Sequence, residues 1–181
     1  MKGSNKLSRI ILITGGTRSG KSTFGESLLK DKDDVLYIAT SIITDDEMRE
    51  RVTIHKERRN KNWETFEGYK NLKEIIKKTE CKYIMLECVT TMITNLIFDK
   101  YRSVDDLSRK EIQSLEESIS EEFKELVSAC RKYDKELIII SNEVGFGLVS
   151  EYKLGRIFTD ISGRINQLLG RLSDEAYLVV A

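Results

Sequence analysis

The chain has 181 residues, 40% of them hydrophobic and 33% charged, with 30 basic residues balancing 30 acidic ones. That is enough chain for one domain with a proper core. It carries no global field to draw it onto nucleic acid or a lipid surface. The three cysteines, Cys81, Cys88 and Cys130, are widely spaced, with no CxxC pair. They build neither a disulfide framework nor a zinc site, so Cys81 and Cys130 read as structural thiols in a reducing compartment.

The first eight residues, MKGSNKLS, read as a disordered extension. The short apolar run behind them is too brief for a signal peptide, and no stretch approaches the roughly 18 residues of a membrane span. A cytoplasmic protein without stable membrane insertion is the expectation. RIILIT (9–14) is the first of the nearly continuous apolar, β-branched runs; VLYIAT (35–40), KYIMLEC (82–88), KELIIIS (135–141) and EAYLVVA (175–181) follow. Such runs suit strands buried on both faces of a parallel sheet.

Helical patterns fall between them: 20–30, 45–59, 68–79, 108–133 and 152–172. The fourth opens on Ser108 and Glu111, a capping box, and lays Ile112, Leu115, Ile119, Phe123, Leu126 and Cys130 on one stripe. KYRSVDD (100–106) reads as an exposed loop. Alternating strands and helices predict an α/β fold with a mostly parallel sheet, a single nucleotide-binding domain of the P-loop NTPase-like (RecA-like) kind.

The first strand runs into GGTRSGKS (15–22), which fits G-x-x-x-x-G-K-[ST]. Glycines in such a turn let backbone N–H groups wrap phosphate oxygens at the start of the next helix. Lys21 is placed for the β- and γ-phosphates, and Ser22 for Mg²⁺. Glu87, closing KYIMLE, is placed to hold Mg²⁺ through water, or else is a strand-end carboxylate facing solvent. The NKxD motif of Ras-like GTPases is missing; SNEV (141–144) lacks its lysine and aspartate.

His55 is the one histidine of the chain. Helical spacing aligns it with Arg51 and Arg59, and Met48 and Val52 would seat that face on the body. Guanidinium groups around an imidazole disfavour its protonation and leave a nucleophile or base at neutral pH. The plain alternative is a solvated basic helix with an idle histidine.

Taken together, GGTRSGKS, YIATS, DDEMRERVTIHKERR, WETFE, LECVTTMITNL, SNEVGFGLV, the run from Arg156 through Asp160 and Gly163 to Asn166 and Gln167, and SDEAYLVV resemble one family. It is the bifunctional adenosylcobinamide kinase / adenosylcobinamide-phosphate guanylyltransferase family of cobalamin synthesis, and the likeness covers nearly all of 11–181. The resemblance implies two activities, phosphorylation of adenosylcobinamide by a nucleoside triphosphate, then guanylylation of that phosphate by GTP through a GMP-histidine, with pyrophosphate released. It implies Mg²⁺ as cofactor, GTP and ATP as substrates, His55 as the residue that carries GMP, and a homotrimer. As nucleotide contacts it implies Gly15, Gly16, Thr17, Arg18, Ser19, Gly20, Lys21, Ser22, Thr40, Ser41, Ile42, Lys56, Glu57, Arg58, Arg59, Glu67 and Glu87.

Either Glu67 or Glu87 could accept from the N1–H and N2–H₂ edge of guanine. Asn142, Glu143, Gly145 and Gly147 fit a substrate-side loop. The sequence departs from the family's usual pattern at Thr17 and Glu87, at Asn60 and Ser150 where prolines are common, and at its short C-terminus. Two other readings share the P-loop: a different small-molecule kinase, with no covalent use for His55, and a GTP-binding module without turnover.

Overall fold

The computed structural model describes residues 8–42, 46, 49, 50, 53, 59–147 and 149–180. Six strands, β1 (Ile10–Gly15), β2 (Val35–Ala39), β3 (Glu64–Glu67), β4 (Tyr83–Glu87), β5 (Glu136–Asn142) and β6 (Glu175–Val179), form one sheet in the order β3-β2-β4-β5-β1-β6. Every pairing is parallel. The helices are α1 (Lys21–Leu28), α2 (Leu72–Lys78), α3 (Val89–Lys100), α4 (Arg109–Lys132) and α5 (Lys153–Leu172).

Period-2 alternation sends successive side chains of the central strands to opposite faces, and both faces are buried. Ile10, Leu12, Leu36, Ile38, Ile84, Leu86, Leu137 and Ile139 join the core under α2 to α5. Ile11, Ile13, Val35, Tyr37, Met85, Ile138 and Ile140 join a smaller one with Leu29, Trp63 and Phe24 of α1. This asymmetry leaves α1 on its own face directly below the glycine-rich turn.

The five expected strands and four of the expected helices are present, with ends shifted by a few residues. The capping box is formed: Ser108 Oγ accepts from the Glu111 backbone N–H, and Glu111 accepts from the Ser108 N–H at 2.8 Å. Two elements were not expected: the short edge strand β3 and helix α3. Of the helix expected over 45–59, Asp46, Arg49, Glu50 and Thr53 are helical, whereas Arg59 lies in a bend beyond it. Met48, Arg51, Val52, His55, Lys56, Glu57 and Arg58 lie outside the described residues.

The segment 100–106 is not wholly exposed, because Val104 drops into the core. Lys153 also ties the segment down by donating to the carbonyls of Asp105 and Leu107. Of the extension expected over 1–8, residues 1–7 lie outside the described residues. Ser8 is buried, its carbonyl accepting from Arg131 at 2.8 Å. Arg131 also reaches the Leu172 carbonyl and Asp174, tying the ends of α4 and α5 to the start of β6. Among the described residues no helix is long and apolar enough to cross a membrane.

Candidate active site

In an open parallel sheet, ligand groups gather where the strands end at their carboxyl side. Here β1 ends in Gly15, and Gly16 to Gly20 form the turn into α1, whose first residues are Lys21 and Ser22. Gly20 has φ +88°, a left-handed conformation that only glycine adopts without strain. Gly15 is required for a second reason: a Cβ there would stand 2.3 Å from the Val179 carbonyl oxygen of β6. The motif glycines thus serve both the turn and the close fit of the edge strand.

Lys21 folds back over the turn, its ammonium donating to the Gly16 carbonyl at 2.9 Å. It is buried, 7% exposed. Burial lowers its pKa, while Cys88 and Glu87 oppose that by attracting the charge. A buried cation at the start of a helix, beside a glycine-rich turn, fits a polyphosphate. In the same turn the Ser19 hydroxyl is buried with no partner among the described residues, as is expected of a group waiting for a ligand oxygen.

The Ser22 hydroxyl donates to Glu87 Oε1 at 2.5 Å. The sheet order explains the meeting: β4 is separated from β1 only by β5, so the end of β4 faces the start of α1. A hydroxyl and a carboxylate are hard oxygen donors that suit Mg²⁺ completed by phosphate and water. Among the described residues no cluster of three His, Cys, Asp or Glu forms, and such a site needs none. The other Glu87 oxygen, Oε2, accepts from the Tyr37 hydroxyl at 2.6 Å. Burial, and then the neighbouring Glu87, push the Tyr37 phenol well above its ordinary pKa, keeping it a donor.

Around this pair the strand ends are knitted together. Buried Thr40 donates its hydroxyl to the Cys88 carbonyl and accepts from the Cys88 N–H, both at 2.8 Å. Asn95 of α3 donates to the Thr40 carbonyl at 2.7 Å. Thr40 therefore anchors the ends of β2 and β4 to one another. Asn142, closing β5, donates to Thr90 at 2.6 Å, and Asn166 of α5 donates to the Asn142 carbonyl while accepting from Ser141. Cys88 Sγ lies 2.9 Å from the Thr91 hydroxyl.

The remaining expected residues separate into groups. Ser41 is partly exposed and Ile42 is exposed, just beyond the end of β2. Glu67 closes β3 and, like Glu87, pairs in register with Ala39, from the other side of β2. Thr17 and Arg18 are exposed in the turn. Arg59 is only 9% exposed, its guanidinium 3.3 Å from the centre of the Tyr37 ring and its Nη1 donating to Thr65 at 2.9 Å. It is thus an interior group rather than a rung on a solvent-facing basic helix. His55, Lys56, Glu57 and Arg58 lie outside the described residues.

Glu143 donates its backbone N–H to the Gly15 carbonyl at 2.9 Å, so the 143–152 loop leaves from beside the glycine-rich turn. Phe146 and Val149 on it are each 83% exposed. Sequence reasoning missed Tyr37, Cys88, Thr90 and Asn95 as members of this site. Tyr37 sits inside an apolar strand, where its phenol reads as core.

Residues 11–181 match the cobinamide kinase / cobinamide phosphate guanyltransferase family. The bifunctional adenosylcobalamin biosynthesis protein CobU of Escherichia coli K12 is 44% identical over 174 residues, spanning 95% of this chain and 96% of that protein. CobU of Salmonella typhimurium is 42% identical over the same length, and CobP of Pseudomonas aeruginosa is 30% identical over 173 residues, 94% of this chain and 92% of that one. Among solved structures, a KaiC-like protein from Pyrococcus horikoshii OT3 aligns with a TM-score of 0.45 and 15% identity over 84% of this chain and 69% of its own, a likeness too distant to carry an argument. On the match of the family and of the CobU relatives, the chain belongs to the cobinamide kinase / cobinamide phosphate guanyltransferase family.

Proposed function

We propose that this chain phosphorylates adenosylcobinamide and then guanylylates the product, both on nucleotide held by the glycine-rich turn. The observation that carries the reading is the convergence of Lys21, Ser22 and Glu87 at the carboxyl end of the sheet, in a chain whose family performs both steps. In the kinase step the aminopropanol hydroxyl of the corrinoid attacks the γ-phosphorus of a nucleoside triphosphate, and the nucleoside diphosphate leaves. The turn's amides and Lys21 hold the oxygens on which charge develops. Ser22 and Glu87 would hold Mg²⁺, which when bound neutralises phosphate charge.

In the transferase step we assign the nucleophile to His55. Its ring nitrogen attacks the α-phosphorus of GTP, pyrophosphate leaves, and the corrinoid phosphate then displaces the histidine from the phosphoramidate. His55 is the one imidazole in the chain, and Lys56, Glu57 and Arg58 beside it complete the nucleotide-facing stretch in this reading. Glu87, turned to Ser22 at the start of α1, serves the metal–phosphate end in this reading, and we assign the guanine edge to Glu67 at the end of β3. A homotrimeric assembly, ATP as an alternative phosphate donor and a cytoplasmic setting belong to the same reading.

The test supplies adenosylcobinamide with GTP and Mg²⁺ and follows corrinoid products by chromatography and mass. Wild type should form adenosylcobinamide-phosphate and then adenosylcobinamide-GDP. His55→Ala should stop at the phosphate, and Glu67→Gln should weaken GTP use more than ATP use. Wild-type protein that binds GTP and turns over neither corrinoid would reduce the chain to a binding module. Formation of adenosylcobinamide-GDP by His55→Ala would remove the covalent route.

A further inference from the structure

A glutamate at a strand end has three rotatable bonds, and ordering such a side chain is costly in rotamer freedom. Ser22 restrains one oxygen of Glu87, at 2.5 Å. The second restraint comes from a residue 50 positions away in sequence, Tyr37, whose hydroxyl donates to Oε2 at 2.6 Å. Register explains the reach: Tyr37 pairs with Met85 and Ala39 with Glu87, so the phenol extends one register step along the same face towards the carboxylate.

The tyrosine itself is immobilised. Its ring is 2% exposed and packed with the core cluster beneath α1. Arg59 lies against the ring at 3.3 Å, and Arg59 is held in turn by Thr65, the register partner of Tyr37 on β3. A phenylalanine would fill this apolar site without bringing a buried hydroxyl, a group that costs free energy unless it is bonded. The hydroxyl's partner is the carboxylate.

We propose that Tyr37 is a positioning residue of the phosphoryl-transfer site: by holding Glu87 Oε2 it keeps Oε1 on Ser22, in the orientation required for the metal–nucleotide complex. Arg59 and Thr65 keep the tyrosine in place, so the edge strand and the carboxylate are mechanically linked. The inference rests on the reading of Glu87 as a metal-site carboxylate, and its test separates the two.

The readout is metal coupling in binding, measured without turnover as the ratio of affinities for a fluorescent GTP analogue at saturating Mg²⁺ and in EDTA, on the full chain. Four proteins are compared: wild type, Tyr37→Phe, Glu87→Gln and the double variant. Tyr37→Phe keeps every ring contact, and its affinity in EDTA, expected within about twofold of wild type, doubles as the check that the fold is intact. The coupling ratio of Tyr37→Phe should fall about fivefold to tenfold, the scale of one ordinary net hydrogen bond, since Ser22 still holds the other oxygen. In the Glu87→Gln background the same change should have no further effect, because residues acting through one another are non-additive.

A Tyr37→Phe ratio equal to wild type overturns the inference, and so does a full additional loss in the double variant. A Glu87→Gln ratio equal to wild type overturns the metal reading of Glu87 itself. An Arg59→Gln variant with a lowered ratio supports the link through the ring, and one with an unchanged ratio removes Arg59 from it.

Discussion

Replacing Lys21 by methionine separates what this residue does for the ligand from what it does for the fold. The side chain is buried at the start of α1, and its ammonium makes a hydrogen bond to the Gly16 carbonyl. Methionine keeps most of the unbranched stem. Losing one charged hydrogen bond costs about 1.5–3 kcal/mol. Against that, the variant no longer desolvates a charge, and burial already disfavours the ammonium here. The two effects oppose, so unfolding free energy should change by no more than about 1.5 kcal/mol.

The reaction has no such offset. Removing one preorganised donor from developing phosphate charge lowers turnover about 10²–10³-fold, or about 2.7–4 kcal/mol. The assay pairs urea unfolding with initial rates of adenosylcobinamide phosphorylation at saturating nucleotide. Near-native stability with a hundredfold or larger rate loss is the expected result. A rate within about tenfold of wild type, or a stability loss above about 3 kcal/mol, would refute the reasoning by making Lys21 dispensable or a structural strut.

Arg9 binds Glu175 at 2.6 and 2.7 Å, and with Tyr177 it draws the Glu175 carboxyl from 4.5 down to about 2. A lowered folded pKa stabilises fully above the ordinary value and is lost as pH falls through the folded one. The melting-temperature gap between wild type and Arg9→Gln should therefore hold at neutral pH and close between 4.5 and 2; a gap that is flat through this window contradicts it. Trp63 is the one tryptophan, buried, its indole N–H donating to the Lys32 carbonyl at 2.8 Å. Trp63→Phe leaves that carbonyl without its donor and should cost about 1–3 kcal/mol in circular-dichroism unfolding curves. Iodoacetamide should modify native protein at Cys88, which is partly exposed beside Glu87, before Cys81 or Cys130. Cys130 is fully buried with its thiol pushed up to about 12. Peptide mass spectrometry reads the order, and GTP should slow the Cys88 reaction.

The central strands were legible because burial on both faces writes itself as unbroken apolar runs. The long helices were legible because α4 carries its stripe and cap in the sequence. Strand β3 was not: ETFE is four residues at a sheet edge with three of them exposed, and nothing local distinguishes it from a loop. Helix α3 was missed for the opposite reason. VTTMITNLIFDK buries Val89, Met92, Ile93 and Ile97 but carries threonines and apolar residues around most of its circumference, so helical periodicity is weak.

The same division holds at the site. The glycine-rich turn is local in sequence, so its geometry follows from its residues. Ser22 with Glu87 was half legible, as two separate expectations for one metal. The contacts of Tyr37 with Glu87 and of Arg59 with Tyr37 depend on which strands lie side by side, and no pattern in either segment carries that information. Arg59 shows the cost: its contact with the Tyr37 ring joins segments far apart in sequence, and helical spacing carries no sign of it.

The most direct measurement on the two-step account is to trap the nucleotidyl enzyme. Protein incubated with Mg²⁺ and GTP labelled at the α-phosphorus, then denatured, should retain label that is lost in acid and stable in base, on the peptide containing His55. The label should pass to adenosylcobinamide-phosphate when that substrate is added before denaturation. Protein that demonstrably binds GTP yet retains no label, or His55→Ala protein labelled as well as wild type, would contradict the account.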